Sequence, residues 1–321
     1  MRSPRSVAAA IAQAADVFSH PLRLRGRERW AVWIYSALAS LLAAALLTEG
    51  RWWTLLALPP AILGVWGIVV STIILRVSYY GLGVGDQWAV RDAAWDRILS
   101  GLSPYGHAYS EAILPNTPWP YGPLALFDSF AVELAASAGI ATLLVSRPIT
   151  LALFAGLPFS VYLVAAANND YVATFLLAAG ILTLPRWYGG ALVGLSVAWK
   201  PYTALFLPAL MPSGVTTFLA GFAVAVAGYV PVLWWGVGGF LQSLTMMSSL
   251  AGESILRYVA VPISLVGVRY GVWTGVAAFA IFTVAGGLWS LGYLIPLGVA
   301  VGILTEAPTR RHNSQALGNA A

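Results

Sequence analysis

The stretch 190-GALVGLSVAWKPYTALFLPAL-210 decides how the chain is read. It is apolar enough for hydrocarbon on both sides of Lys200, the sole lysine, while the other sixteen of the seventeen basic residues are arginines, mostly at segment edges. A charge at the bilayer centre costs roughly 2.5–3.5 kcal/mol on insertion scales. If 189–211 were one helix, Lys200 would lie about 16 Å from either end, too far for its stem to snorkel to water. Pro201 offers an escape, because it removes an intrahelical hydrogen bond and disfavours helical geometry at the residue before it. The expectation is two shorter pieces meeting at a break, with Lys200 turned into a cavity. Its partner there is either an anionic ligand group, a phosphate before others, or a buried carboxylate such as Asp170.

Outward from this segment the chain stays apolar. Of 321 residues, 59% are hydrophobic and 9% charged, against about 25% charged in a soluble domain. Runs such as 30-WAVWIYSALASLLAAALL-47 and 52-WWTLLALPPAILGVWGIVVSTIIL-75 approach the roughly 20 residues that a spanning helix needs. Further apolar segments fall near 122–145, 149–167, 171–184, 189–211, 215–237, 259–268, 271–288 and 290–305. The expected fold is therefore all-α: a polytopic transmembrane bundle of about nine or ten crossings, multi-pass in the cell membrane. A basic leader over 1–29 is expected before a single membrane domain over 30–305, with polar loops at 76–121 and 238–258 and a polar tail over 306–321. The net charge of +5 is no nucleic-acid signal, because the arginines cluster where membrane segments begin and end. The absence of cysteine excludes disulfides and thiolate metal sites.

Five of the twelve carboxylates gather between residues 86 and 128: Asp86, Asp92, Asp96, Glu111 and Asp128. In 87-QWAVRDAAWDRILSG-101, Asp92 and Asp96 share one helical face while Trp88, Trp95 and Leu99 line another. That pattern predicts a helix lying in the membrane interface. Asp86 follows 81-GLGVG-85 just where a span has ended. There it suits a general base that takes a proton from an acceptor hydroxyl, or equally a helix N-cap. The loop 103-SPYGHAYSEAILPNTPWPYGPLA-125 is dense in Pro, Gly and aromatic residues. Its rings, Tyr105 and Tyr121 among them, can stack on the apolar faces of sugars or pack at headgroup level. His107 is a candidate acid or base, or simply an exposed loop residue. No histidine–carboxylate cluster points to a tightly bound metal.

The order of these features resembles a known family. Asp86, then 99-LSGLSPYG-106, then 117-TPWPYGPLA-125 opening a span, then 166-AANNDYVATFLLAAGIL-182 and 190-GALVGLSVAWKPYTALFLPAL-210 is similar to the GT-C class of integral-membrane glycosyltransferases. The closest likeness is to the polyprenyl-phosphate-mannose-dependent mannosyltransferases. The resemblance covers roughly residues 80–210. It implies a GT-C-like bundle whose 76–121 loop is extracytoplasmic and carries the interfacial helix. It assigns Asp86 as catalytic carboxylate, Lys200 as the basic residue near the lipid phosphate, and Asp170 as the polar residue at the lumen-facing end of its span. Arg257, in 249-SLAGESILRYVAVP-262, is a further candidate for the donor phosphate, and Tyr105, His107 and Tyr121 fall among the substrate-binding candidates.

The chemistry so implied is transfer of a sugar, mannose first, from a polyprenyl-phosphate donor to a hydroxyl of a lipid or glycan acceptor, with inversion. Mg²⁺ or Mn²⁺ is compatible with that reaction and not demanded by it. An external 76–121 loop puts Arg147, Arg186 and Arg269 on the cytoplasmic side. With two spans ahead of it, the same loop leaves the arginine-rich N-terminus outside, against the positive-inside tendency. Two other readings accompany this one. A multi-pass transporter or lipid flippase would use Lys200 and Asp170 as a mid-membrane site, and a non-catalytic membrane subunit would use neither.

Overall fold

The computed structural model describes residues 26–48, 52–57, 64–80, 87–112, 116–158, 160–161, 170–250, 254–286, 292–306 and 308. Within them the chain is a helical bundle. Helices α1 (Arg27–Thr48) and α2 (Val65–Tyr79) precede α3 (Gln87–Leu99), a two-residue hairpin, and then α4 (Phe130–Leu143) and α5 (Pro148–Gly156). Next come α6 (Tyr171–Thr183), α7 (Trp187–Trp199), α8 (Val215–Gly228), α9 (Val230–Trp235) and α10 (Val237–Leu250). The described chain closes with α11 (Ala260–Tyr270), α12 (Val272–Val284) and α13 (Leu294–Thr305). Most boundaries track the apolar segments of the sequence.

Proline sets many of the breaks. Pro148 and Pro201 sit at the first position of their elements, where a missing N–H costs nothing. The apolar segment 189–211 is divided at Lys200, as the proline after it leads us to expect. α7 stops at Trp199, Lys200 is extended at φ −134° and ψ 115°, and 3-10 turns cover Pro201–Phe206 and Pro208–Ser213.

Such interruptions leave the helices short. Val215–Trp235, which joins α8 and α9, is the one stretch among the described residues long and apolar enough to cross a membrane by length and composition. Val65–Tyr79, Phe130–Leu143, Tyr171–Thr183, Val272–Val284 and Leu294–Thr305 are apolar but shorter. One sequence expectation is corrected: the 238–258 loop is largely helix α10, which starts beyond Gly236 at φ +99°. In α3 the buried stripe is Val90 and Ala94, while Trp88, Trp95 and Leu99 fall along one helical face, with Leu99 80% exposed. Asp92 and Asp96 are exposed, on the wet face that their spacing predicted.

Two apolar cores result. The larger runs through α1, α2, α4–α7 and α11–α13. The smaller is built by the segment expected to be loop: Val90 and Ala94 of α3 pack with Tyr105, Tyr109, Trp119 and Leu126. The hairpin pairs Ala108 with Pro118 and Tyr109 with Thr117, antiparallel. The residues between α3 and α4 are thus held by a hydrophobic centre of their own, with Trp119 fully buried in it.

The tightest helix pair is α7 against α8, and glycine permits it. A Cβ on Gly190 would lie 1.9 Å from the Thr217 carbonyl oxygen, and one on Gly194 would lie 2.3 Å from that of Gly221. Gly190 and Gly194 are four apart, the small-residue spacing that lets helix backbones approach closely. Gly190→Ala should therefore cost about 1–3 kcal/mol, since the obstacle is backbone and cannot swing away. Gly238→Ala, whose Cβ would meet nothing within 4 Å, serves as control. Thermal unfolding of both variants in detergent should show a lowered midpoint for the first alone.

Candidate functional site

Lys200 is placed by the end of α7. Its N–H still donates to the Ser196 carbonyl at 2.8 Å, but Pro201 has no N–H with which to continue the ladder. The remaining carbonyls of that last turn find other donors. The Tyr229 hydroxyl donates to Val197 at 3.0 Å, the Gly122 N–H to Trp199 at 3.1 Å, and both the N–H and hydroxyl of Thr203 to Lys200 itself at 3.2 and 2.9 Å. The Gly122 contact draws 119-WPYGP-123 onto the helix end so closely that a Cβ there would lie 1.9 Å from the Ala198 oxygen. The sequence WPYG thus delivers Tyr121 to Lys200. The Lys200 Nζ stands 3.6 Å from the centre of the Tyr121 ring, a cation–π contact.

The charge partner is Asp170. Its Oδ1 lies 3.2 Å from Lys200 Nζ and also accepts the Tyr202 hydroxyl at 2.7 Å. Lys200 and Asp170 are 1% and 2% exposed, so this is a fully buried ion pair. Asp170 occupies the N-cap position of α6, yet its carboxylate makes no capping bond, and its φ of −95° with ψ −14° is helical. The cap is supplied from another helix. Glu133 of α4, 0% exposed, accepts the Tyr171 N–H at 2.8 Å and the Val172 N–H at 3.4 Å. A carboxylate at a helix N-terminus meets both free amides and the positive end of the dipole. Asp128 and Glu133 are two further buried carboxyls whose charge Lys200 feels, while Asp170 alone is in contact with its ammonium. The Asp128 Oδ1 accepts the Ser129 N–H at 2.8 Å, and its backbone carbonyl accepts from Arg91.

Arg257 joins the cluster through aromatic rings. Its guanidinium lies 3.6 Å from the centre of the Phe282 ring and 5.6 Å from that of Tyr293. The Tyr293 ring in turn lies 4.2 Å from that of Tyr202, and Phe279 stacks on Tyr202 at 5.3 Å. One residue past Tyr293, Leu294 lines an apolar groove of about 690 Å³ between α5 and α13, which runs to Thr305 and Glu306. A band of rings therefore links Lys200 to Arg257.

Of the sequence-selected residues, Lys200, Asp170 and Tyr121 are in direct contact. Tyr105 supports them by donating its hydroxyl to the Tyr121 carbonyl at 3.1 Å, and Arg257 stands across the rings. His107 is exposed and packs edge-to-face with Tyr109 at 5.0 Å. Partial burial, reinforced by Arg97, holds its imidazole below the ordinary range against the pull of Glu111. Asp86 lies outside the described residues. Glu133, Tyr202 and Tyr293 were not selected from sequence. Glu133 alone carried a usable signal, a carboxylate four residues into an apolar run. Among the described residues no group of three or more His, Cys, Asp or Glu is placed to hold a metal ion.

Removing one member of a buried pair strands the other, at a cost of about 3–5 kcal/mol. Asp170→Ala should therefore lower stability by that order, and Asp170→Ala combined with Lys200→Met should recover most of the loss. Chemical denaturation of the three proteins in detergent measures both terms.

No family model, curated protein or solved structure matches the chain.

Proposed function

We propose that the chain is a multi-pass membrane glycosyltransferase with a GT-C-like bundle, moving a sugar, mannose first, from a polyprenyl-phosphate donor to an acceptor hydroxyl. The observation that carries this reading is the pairing of buried cations with an apolar channel. Lys200 and Arg257 stand on either side of the Tyr202–Tyr293 pair, and a groove along α13 begins at Leu294, the residue after Tyr293. A ligand matching both features is anionic at one end and long and apolar at the other, as a lipid phosphate is. Membrane residence is supported by the outward faces of the helices. Leu219, Phe222, Val226, Val230, Leu233 and Trp234 are exposed along α8 and α9, a surface that water does not favour and lipid does.

In the proposed reaction the acceptor oxygen attacks the anomeric carbon of the donor while Asp86 takes its proton. The bond from that carbon to the phosphate oxygen breaks, its electron pair leaves with the phosphate, and the configuration inverts. A cation beside the departing phosphate stabilises the charge that develops there. Tyr121 would offer its ring to the sugar, and Tyr105, buried in the smaller core, would hold Tyr121 in place through its carbonyl. Mg²⁺ or Mn²⁺ would be an auxiliary to these residues and not a requirement of the step.

One observation favours a second reading. Asp128, Glu133 and Asp170 around Lys200 also suit a proton or ion relay, the usual work of ionisable groups inside a membrane. A transporter or flippase would use them so. The test is the neutral double variant Lys200→Met with Asp170→Asn, which removes the cation without stranding its partner. Reconstituted with a radiolabelled polyprenyl-phosphate mannose and acceptor membranes, it should lose transfer by at least about 100-fold, the scale of one lost electrostatic contact to a developing charge. Turnover at the wild-type rate would remove Lys200 from the chemistry, and solute movement without sugar transfer would install the transporter.

The absence of native cysteine allows a topology test. Single cysteines at Ser3, Ser110 and Ser314 are exposed to a membrane-impermeant thiol reagent on intact cells. Labelling at Ser110 but not at Ser314 is expected, and the Ser3 result fixes the N-terminus. A Ser110 site labelled only after lysis would put the acidic loop in the cytoplasm and end the transferase reading.

A further inference from the structure

Asp170 sits at the position where an aspartate ordinarily caps its own helix, accepting from the amides two and three residues on. It does not do so here. The first two amides of α6 are taken by Glu133, reaching over from α4 at 2.8 and 3.4 Å. With the Val172 amide, one of the two that Asp170 would use, already taken by Glu133, the Asp170 carboxylate turns the other way. It meets Lys200 at 3.2 Å and Tyr202 at 2.7 Å. The two arrangements compete for one side chain. Asp170 can cap α6 or hold Lys200, and Glu133 decides between them.

We infer that Glu133 is a positioning residue: by capping α6 in place of Asp170, it keeps the Asp170 carboxylate on Lys200 and so fixes where the chain's one ammonium points. The inference rests on the proposed function only for the use to which Lys200 is put, since the competition for Asp170 exists whatever ligand the ammonium meets. Glu133 touches neither Lys200 nor a ligand in this scheme. Its effect passes through Asp170. The other groups near the pair are Asp128 before α4, the Tyr121 ring, and Tyr202 with its neighbour Tyr293. None of them caps α6, so none can substitute for Glu133 in freeing Asp170.

The sole lysine makes the test specific. Protein grown with lysine labelled by ¹⁵N at Nζ gives a single side-chain resonance, from Lys200, without any need for substrate or turnover. Full-length wild type, Glu133→Ala, Glu133→Asp, Asp170→Asn and the Glu133→Ala/Asp170→Asn double variant are compared in detergent at one pH. Glu133→Asp keeps the charge but withdraws it by one methylene, so it tests the contact should the alanine variant fail to fold. The expected result is that the lysine signal in either Glu133 variant leaves its wild-type position for that of Asp170→Asn. The double variant should lie near Asp170→Asn and well short of the sum of the two single displacements, because the route through Asp170 is already gone and only the direct field of Glu133 on Lys200 is lost with it. A lysine signal that stays at its wild-type position in folded Glu133→Ala or Glu133→Asp overturns the inference. So does a double variant displaced by the full sum of the two, which would show that Glu133 acts independently of Asp170. Loss of transfer in the neutral Lys200/Asp170 variant bears on the transferase reading alone, so the two can fail separately.

Discussion

The buried pair of Lys200 and Asp170 is the constraint on which the surrounding structure depends. An ammonium removed from water is tolerable only where charge, hydrogen bonds and a polarisable surface replace its hydration. Each replacement here comes from a different stretch of chain: the carboxylate from the start of α6, the Tyr121 ring from the WPYG segment, and the supporting hydroxyl of Tyr202 from the 3-10 turn after α7. The break in α7 follows from the same need. A continuous helix through Lys200 would direct its carbonyls along the ladder, whereas the break hands them to Gly122, Tyr229 and Thr203. Those bonds tie the segment between α3 and α4, and also α8, to the charged centre.

Close packing then makes the arrangement rigid. Gly122 lets the WPYG backbone reach the end of α7, and Gly190 and Gly194 let α8 lie directly against that helix, with Tyr229 following α8 at the level of Val197. Side-chain hydroxyls bind the same elements together, as where Ser196 donates to the Ala173 carbonyl of α6 at 2.7 Å. A bundle whose helices are interrupted by proline gains little from long ladders. Near the charged centre, contacts of this kind between small residues and backbone supply the cohesion.

The parts legible in the sequence were those where a rare residue stood against a uniform background. A lone lysine in an apolar run, with proline after it, announced both the break and the need for a partner, and Asp170 was one of very few carboxylates able to answer. Helix limits were readable for the same reason, since proline and glycine punctuate long apolar runs. Glu133 stood out as a carboxylate in an apolar run, but its role was not read, because its partners are backbone amides of a distant helix, which no side-chain pattern marks. Tyr202 and Tyr293 were hidden among fourteen tyrosines, where only the fold selects the two beside the ion pair. Helix α10 was mistaken for loop because Gly238, Gly239, Gln242 and its serines dilute an apolar face that is nevertheless continuous enough to form it.

The ion pair also bears on how a transferase would divide its binding energy. A polyprenyl-phosphate sugar is a phosphodiester with a single negative charge, and the lipid phosphate released from it carries more. While Asp170 holds Lys200, an incoming diester must compete with a carboxylate of equal charge and already desolvated, so the ground state gains little from the ammonium. As the glycosidic bond lengthens, charge accumulates on the phosphate and the balance moves in its favour. Lys200 can then exchange one anion for the other at the moment when the exchange is worth most. An interaction that strengthens only as the bond breaks lowers the barrier without deepening the substrate well. If the chain is the transferase proposed above, the carboxylate would be no mere structural ballast for a buried lysine; it would withhold the cation from the substrate until the transition state could claim it.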